Sequence, residues 1–253
     1  MTGHVAVAGL THAYGTRAIV SEITFDVAPG GLTALIGPTG CGKSTILRVL
    51  AGLLLPSCGR ADIDGDSSLG HPGLCAYMPQ GDTLLPWRRA SDNAILGAEI
   101  AGHDLSVARV RAATLFERFG LSGFERSWPR ELSGGMRQRV ALLRTILTHK
   151  PVLLLDEPFA ALDAITRTDL QGWLAHVLEV EQHTTLMVTH DIDEALRLAD
   201  QILVISPRPA RLIDQIVLTT PRPRTPLQIT HQNFAIVKRR VLAALSHESA
   251  AIL

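Results

Sequence analysis

Apolar positions along this chain recur with two different periods, and each change of period marks a change of element. Residues 5–10 and 19–27 alternate or run apolar as strands do, Pro29-Gly30-Gly31 reads as a turn, and residues 32–36 predict a third, short strand. Glycines then open a helix, in which Ile46, Leu47, Leu50 and Leu54 follow helical spacing until Leu55-Pro56-Ser57-Cys58-Gly59 ends it. Residues 88–149 are predominantly helical in pattern, with Ala94, Ile95, Ala98, Val107, Val110 and Leu115 expected on buried faces. Pro151-Val152-Leu153-Leu154-Leu155 is apolar without alternation, as a parallel strand covered on both faces requires, and residues 185–188 and 202–205 repeat that character. Helical patterns separate these strands, so the expected class is α/β. Beyond Ser206 prolines interrupt the chain, and residues 231–245 predict a terminal helix, read here as an appendage.

Composition narrows the function classes. The 253 residues carry 24 Lys plus Arg and 24 Asp plus Glu, so no global field favours nucleic acid or an anionic membrane, and any phosphate binding has to be local. No apolar run reaches the roughly 18 residues of a membrane span, and the longest candidate, residues 46–55, contains Arg48. The opening MTGHVAVAGL lacks a basic stretch followed by an apolar core and cleavage site, which gives a cytoplasmic expectation. Cys41, Cys58 and Cys75 are spread singly and read as reduced thiols rather than metal ligands.

Only three residues of the chain are lysines, and one of them lies in a chemically specific place. Gly37, Pro38, Thr39, Gly40, Cys41, Gly42, Lys43, Ser44 and Thr45 match GxxxxGK[ST] between a predicted strand and a predicted helix. Glycines there let backbone N–H groups converge on phosphate oxygens, and the helix start adds a partial positive charge of about half a unit. Lys43 supplies a full charge, Ser44 a hydroxyl for Mg²⁺, and Thr45 a hydroxyl for the first turn or the α-phosphate. Cys41 reads as a small loop residue or, since a helix start lowers thiol pKa, as a reactive thiol. Further on, the strand Val152-Leu153-Leu154-Leu155 ends in Asp156-Glu157. Strand alternation is expected to turn the two carboxylates apart, leaving Asp156 for Mg²⁺ and Glu157 to orient and deprotonate an attacking water.

Ser133-Gly134-Gly135 precedes a helical pattern of Val140, Leu143 and Leu147, a second helix start able to grip phosphate. Alone, Ser133 would be an ordinary N-cap. LSGGMRQR followed by VLLLDEP closely resembles the signature and Walker B elements of ATP-binding-cassette ATPases. That resemblance covers nearly the whole chain. It implies a P-loop NTPase fold with a RecA-like core, an N-terminal antiparallel β subdomain and a helical subdomain near residues 88–150. The cassette would span residues 1–225, with residues 226–253 a C-terminal helical tail. It also implies that Tyr14 stacks on adenine, the alternative being a surface tyrosine near a turn. Gln80 is expected to sense Mg²⁺ and the γ-phosphate, Asp163 to communicate across a dimer, and His190 to contact the γ-phosphate. Two cassettes of this family dimerise head to tail, so Ser133, Gly134 and Gly135 of one chain would close over ATP on the other.

LLPW after Gln80, ending in Trp87, is similar to the cassettes of nitrate, sulfonate, taurine and vitamin-precursor importers, and so is the C-terminal PRPR stretch. Within that branch the expected partners are a second copy of the chain, membrane permease subunits and, indirectly, a solute-binding protein, with the cassette peripheral on the inner face of the membrane. Trp87 either packs within the helical lobe or lines a groove for the permease. Gly31, Ala160 and Leu143 depart from the commonest family residues, and Ala160 removes a hydrogen-bonding side chain at the expected dimer seam. The alternatives are a cassette acting outside transport and a regulatory, catalytically silent cassette. Lys43, Asp156, Glu157 and His190 argue against silence.

Overall fold

The computed structural model describes residues 3–222 and 224–250, so Pro223 of the PRPR stretch and residues 251–253 of the tail lie outside the described residues. In chain order the elements are β1 (Val5–Tyr14), β2 (Arg17–Val27), β3 (Leu32–Ile36), α1 (Lys43–Leu50), β4 (Cys58–Ile63), β5 (Asp66–Ser67) and β6 (Ala76–Met78). There follow α2 (Ala90–Ala94), α3 (Leu96–Ile100), α4 (Leu105–Arg118), α5 (Gly134–Ile146), β7 (Val152–Asp156) and α6 (Ala164–Val180). The chain closes with β8 (Thr184–Thr189), α7 (Ile192–Leu198), β9 (Gln201–Ile205), β10 (Leu212–Val217) and α8 (Gln232–Ala250).

Among the described residues the strands form an antiparallel sheet in the order β2-β1-β4-β5 and a second sheet in the order β10-β9-β3-β8-β7-β6. In the second sheet β9, β3, β8, β7 and β6 are parallel and only β10 runs against its neighbour. The fully buried burial pattern of β3, β7 and β8 follows from this arrangement, because both faces of the sheet are covered. On one face Leu35, Leu154, Leu186, Val188 and Leu203 pack against α1 and the antiparallel sheet. On the other, Leu32, Ala34, Leu153, Leu155 and Met187 join the core built by the remaining helices. Parallel strands place all their carboxyl ends on one edge, the usual ligand edge of open α/β sheets.

Several details depart from the sequence pattern. α1 stops at Leu50, and Gly52, with φ of +74°, turns the chain before Leu54 can continue the helix. Cys58 and Gly59 start β4 instead of lying in a loop. In α4 the buried face is Ala108, Ala112, Leu115 and Phe116, at spacings of four, three and one, so Val107 and Val110 point outward and are exposed. The proline-interrupted stretch contains β10, and α8 sinks Phe234 and Val241 into the main core, so the terminal helix is built in and not appended. Arg224, 1% exposed, holds it there, donating to the carbonyls of Leu196 (2.8 Å) and Ala199 (2.7 Å) at the end of α7 and lying 5.6 Å from the Phe234 ring centre.

α4 is tied to the sheet layer by an ionic link. Its Arg111 guanidinium grips Glu181 just beyond α6, and His183 Nε2 donates to the other oxygen at 2.8 Å. His183 and then Arg111 pull the Glu181 carboxyl down to about 2 from 4.5. A carboxyl depressed on folding stabilises above its unfolded pKa, and that contribution is lost as pH falls from about 4.5 to about 2. Urea titrations should therefore find Glu181→Gln less stable than the parent at pH 7, with the gap closing by pH 2. A gap that stays constant over that interval would contradict the ionic origin of the link.

Candidate functional site

The P-loop is built where β3 passes into α1. Gly37 has no room for a side chain, since a Cβ there would stand 2.5 Å from Ile205 Cγ1. Gly42, the N-cap of α1, has φ of +136°, which only glycine adopts readily. Lys43 is buried and its ammonium donates to Gly37 O at 2.7 Å and Pro38 O at 2.9 Å, holding the charge at the mouth of the loop. A cavity of about 280 Å³ opens there, lined by Thr39, Gly40, Gly42, Lys43, Ser44, Thr45, Gln80, Glu157 and Arg208.

The acids come from the end of β7. Asp156 is 2% exposed; burial raises its pKa, while a hydrogen bond from Ser44 opposes the rise. Its separation from Glu157 does not come from strand alternation. β7 ends at Asp156, and Glu157 adopts φ of +50°, a left-handed turn pinned by Glu157 N–H to Val188 O at 3.0 Å. This turn delivers the Glu157 carboxylate to Gln80 Nε2 at 3.3 Å and to His190 Nδ1 at 3.3 Å. Gln80 follows β6 and His190 follows β8, so three adjacent parallel strands converge on one carboxylate. Beyond it a smaller cleft is lined by Glu157, Phe159, Ala160, Arg167, Thr189, His190, Asp191 and Glu194.

The remaining sequence candidates lie apart from this cavity. Ser133 caps α5, accepting from Met136 N–H at 3.2 Å, and Asp163 caps α6, accepting from Thr166 N–H at 3.0 Å. Gly135 fits closely against that second cap, with a Cβ there meeting Ala161 O and Leu162 Cδ2 at 3.3 Å, while Gly134 begins α5 in open surroundings. Neither Ser133, Gly134, Gly135 nor Asp163 lines the Lys43 cavity of its own chain. Tyr14 closes β1, half exposed, in edge contact with His12 at 4.6 Å. Its strand partner Arg17 lines a neighbouring cavity of about 310 Å³ over Pro38, Thr39, Gly40 and Cys41. Trp87 does not pack within the helical lobe. It is 70% exposed at a separate groove of about 270 Å³, with Arg88, Asp92, Ile95, Leu105 and Trp128 among its walls.

Three supporting residues were given no role of their own by the sequence reading, although Arg137 lies within LSGGMRQR. Asn93, fully buried, ties down the loop after Gln80 by accepting from Leu85 N–H at 2.7 Å and donating to the carbonyls of Leu85, Arg88 and Arg89. From α5, Arg137 donates to Asp82 at 2.8 Å and Arg144 to Thr83 O at 2.9 Å. Their signal was helical spacing, with Arg137 and Arg144 seven residues apart on one face of a helix.

Residues 20–160 match the family model described as ABC transporter. The chain is 46% identical over 198 residues to the aliphatic sulfonates import ATP-binding protein SsuB 1 of Rhodococcus jostii (strain RHA1), covering 78% of this chain and 77% of that one. It is 41% identical over 201 residues to the formylaminopyrimidine import ATP-binding protein ThiZ of Halalkalibacterium halodurans, covering 79% and 78%. Among solved structures, the dimeric post-hydrolysis state of the ATP-binding cassette MJ0796 bound to ADP and Pi superposes with a TM-score of 0.77 at 25% identity, over 86% of this chain and 100% of that one.

The placement of Cys41 favours the small loop residue over the reactive thiol. Cys41 is 2% exposed, and burial raises its pKa despite the nearby Lys43. In the native protein at pH 8, iodoacetamide should label exposed Cys58 at least about tenfold faster than Cys41, and unfolding should equalise them. Equal rates in the native state would contradict this placement.

Proposed function

The chain belongs to the ABC transporter family, and from that premise we propose how its own residues bind ATP and drive its hydrolysis. It is the ATP-binding, ATP-hydrolysing subunit of an import system, paired as a dimer and coupled to membrane permease subunits. The observation that carries the residue assignments is the convergence of Lys43, Ser44, Gln80 and Glu157 on one cavity.

The N–H groups of residues 37–45, the start of α1 and Lys43 bind the polyphosphate, and Tyr14 meets the adenine from the β1–β2 hairpin. The Ser44 hydroxyl, the Gln80 amide oxygen and the buried Asp156 carboxylate are hard oxygen donors and fit Mg²⁺. Mg²⁺ would neutralise charge on the phosphate oxygens when bound. Glu157 accepts the proton of the attacking water, and the hydrogen bond from Gln80, together with the His190 ring 3.3 Å away, holds its carboxylate in place. Ser133, Gly134, Gly135 and Asp163 act on the partner's nucleotide in a head-to-tail dimer. Their position outside the Lys43 cavity supports that reading.

Residues 1–225 serve as the cassette, with residues 88–150 as its helical subdomain and the rest as the C-terminal tail. The exposed Trp87 groove lies on that subdomain and is the surface for the permease. Among the described residues no helix is long and apolar enough to cross a membrane, in keeping with a subunit held at the inner face through the permease. The relatives named for sulfonate and formylaminopyrimidine import favour a small organic anion or vitamin precursor, delivered by a solute-binding protein.

Lys43→Ala should abolish ATP binding and turnover, and undiminished turnover in that variant would remove the P-loop from the mechanism. Glu157→Gln should bind ATP, lose turnover by at least about 100-fold and accumulate a dimer in size-exclusion chromatography. A variant that stays monomeric with ATP, or that hydrolyses normally, would overturn the role of Glu157.

A further inference from the structure

The parallel strands bring five segments to the ligand edge, and four of them have assigned roles. β3 leads to the P-loop, β6 to Gln80, β7 to Asp156 and Glu157, and β8 to His190. The fifth, β9, leads into Ser206-Pro207-Arg208-Pro209-Ala210, a segment that none of the motifs covers.

That segment is firmly held. Ser206 Oγ donates to Pro207 O at 2.8 Å and accepts from Arg211 N–H at 3.0 Å, and Ser206 N–H donates to Arg211 O at 2.9 Å. Ala210 is clamped to β2, its N–H donating to Ile19 O at 2.8 Å and its carbonyl accepting from Ser21 N–H at 2.9 Å. Between these anchors the Arg208 side chain is presented to solvent beside the phosphate loop. A Cβ on Gly40 would lie 3.5 Å from Arg208 Nη2. Arg208 lines both the Lys43 cavity and the neighbouring one over Pro38, Thr39, Gly40 and Cys41. Arg111, Arg137, Arg222, Arg224 and Arg240 are engaged with carboxylates or carbonyls. Among the described residues no hydrogen bond or ion pair holds the Arg208 guanidinium.

We infer that Arg208 is a second cationic ligand of the nucleotide polyphosphate, meeting it from the solvent side of the P-loop while Lys43 meets it from within. The inference rests on the assignment of that cavity to ATP. A guanidinium has the fork geometry that phosphate oxygens accept in pairs, and it stays charged at any working pH. The anchored backbone beneath it confines the ordering required on phosphate binding to the side chain itself. Its position at the rim gives it a role in nucleotide affinity and not in proton transfer.

Isothermal titration with ADP and with adenosine tests this, because ADP carries phosphates without the γ-phosphate that favours the closed dimer, and adenosine carries none. In Arg208→Ala the ADP dissociation constant should rise about tenfold, adenosine binding should stay within about twofold of the parent, and Arg208→Lys should recover part of the loss. A KM for ATP raised in the same proportion, with kcat changed less, is expected. An ADP affinity within twofold of the parent in Arg208→Ala overturns the inference, as does an equal loss for ADP and adenosine, which would mean that the side chain merely shapes the loop. Parent protein that binds ADP and a Lys43→Ala control that does not keep the assignment of the cavity standing even if the Arg208 result is negative.

Discussion

A buried ammonium at the start of a helix, held at the carboxyl edge of a parallel sheet, is the constraint on which the rest of this molecule depends. Lys43 is buried, its ammonium hydrogen-bonded to the carbonyls of Gly37 and Pro38, which carry no full negative charge, so a polyanion in the adjoining cavity is favoured. The loop that creates this situation requires glycine at two places, against Ile205 and at the positive φ of Gly42, and the sheet beneath requires apolar residues on both faces. The parallel order then sets everything else. Because β6, β7 and β8 are neighbours, the residues that follow them meet at a single carboxylate without any long-range adjustment.

Glu157 joins the Lys43 cavity to the rest of the protein. Its carboxylate is shared by Gln80 and His190, and its carbonyl accepts from Gln138 of α5 at 3.4 Å. On the same helix, Arg137 beside Gln138 and Arg144 further along fasten the loop that carries Gln80 and then Trp87. A contiguous set of hydrogen bonds therefore connects the Ser133 end of α5, the Glu157 carboxylate and the exposed aromatic groove. Any differential contact made at one of these places with and without the γ-phosphate would be felt at the others through elements that are already packed.

Much of this was legible in the residues. The phosphate loop announced itself because few backbones tolerate its glycines, and the buried strands because a sheet covered on both faces leaves no polar alternation. The features that were not legible all depend on neighbours distant in sequence. Val107 and Val110 read as buried because a helix built of Val and Ala has two apolar stripes, and only the partner packing selects Ala108, Ala112 and Leu115. The turn at Glu157 takes a residue without glycine's freedom into the left-handed region, which local preference disfavours and the Val188 carbonyl enforces. Cys41 read as a small loop residue or, from its helix start, a reactive thiol, and burial outweighs Lys43 in favour of the first. Arg224, the anchor of the last helix, looked like one more charged residue among prolines until the carbonyls it satisfies were in view.

The central claim is that each ATP site is divided between two chains, with Lys43 on one and Ser133 on the other. Mixing two inactive variants measures this most directly. Lys43→Ala lacks a phosphate loop and Ser133→Arg a usable signature, yet a dimer containing one of each has one site with both parts intact. ATP turnover of an equimolar mixture should rise well above the mean of the two separate variants, towards about a quarter of the parent rate, since half the chains pair across and each such pair restores one site of two. A mixture no more active than its components would contradict the divided site.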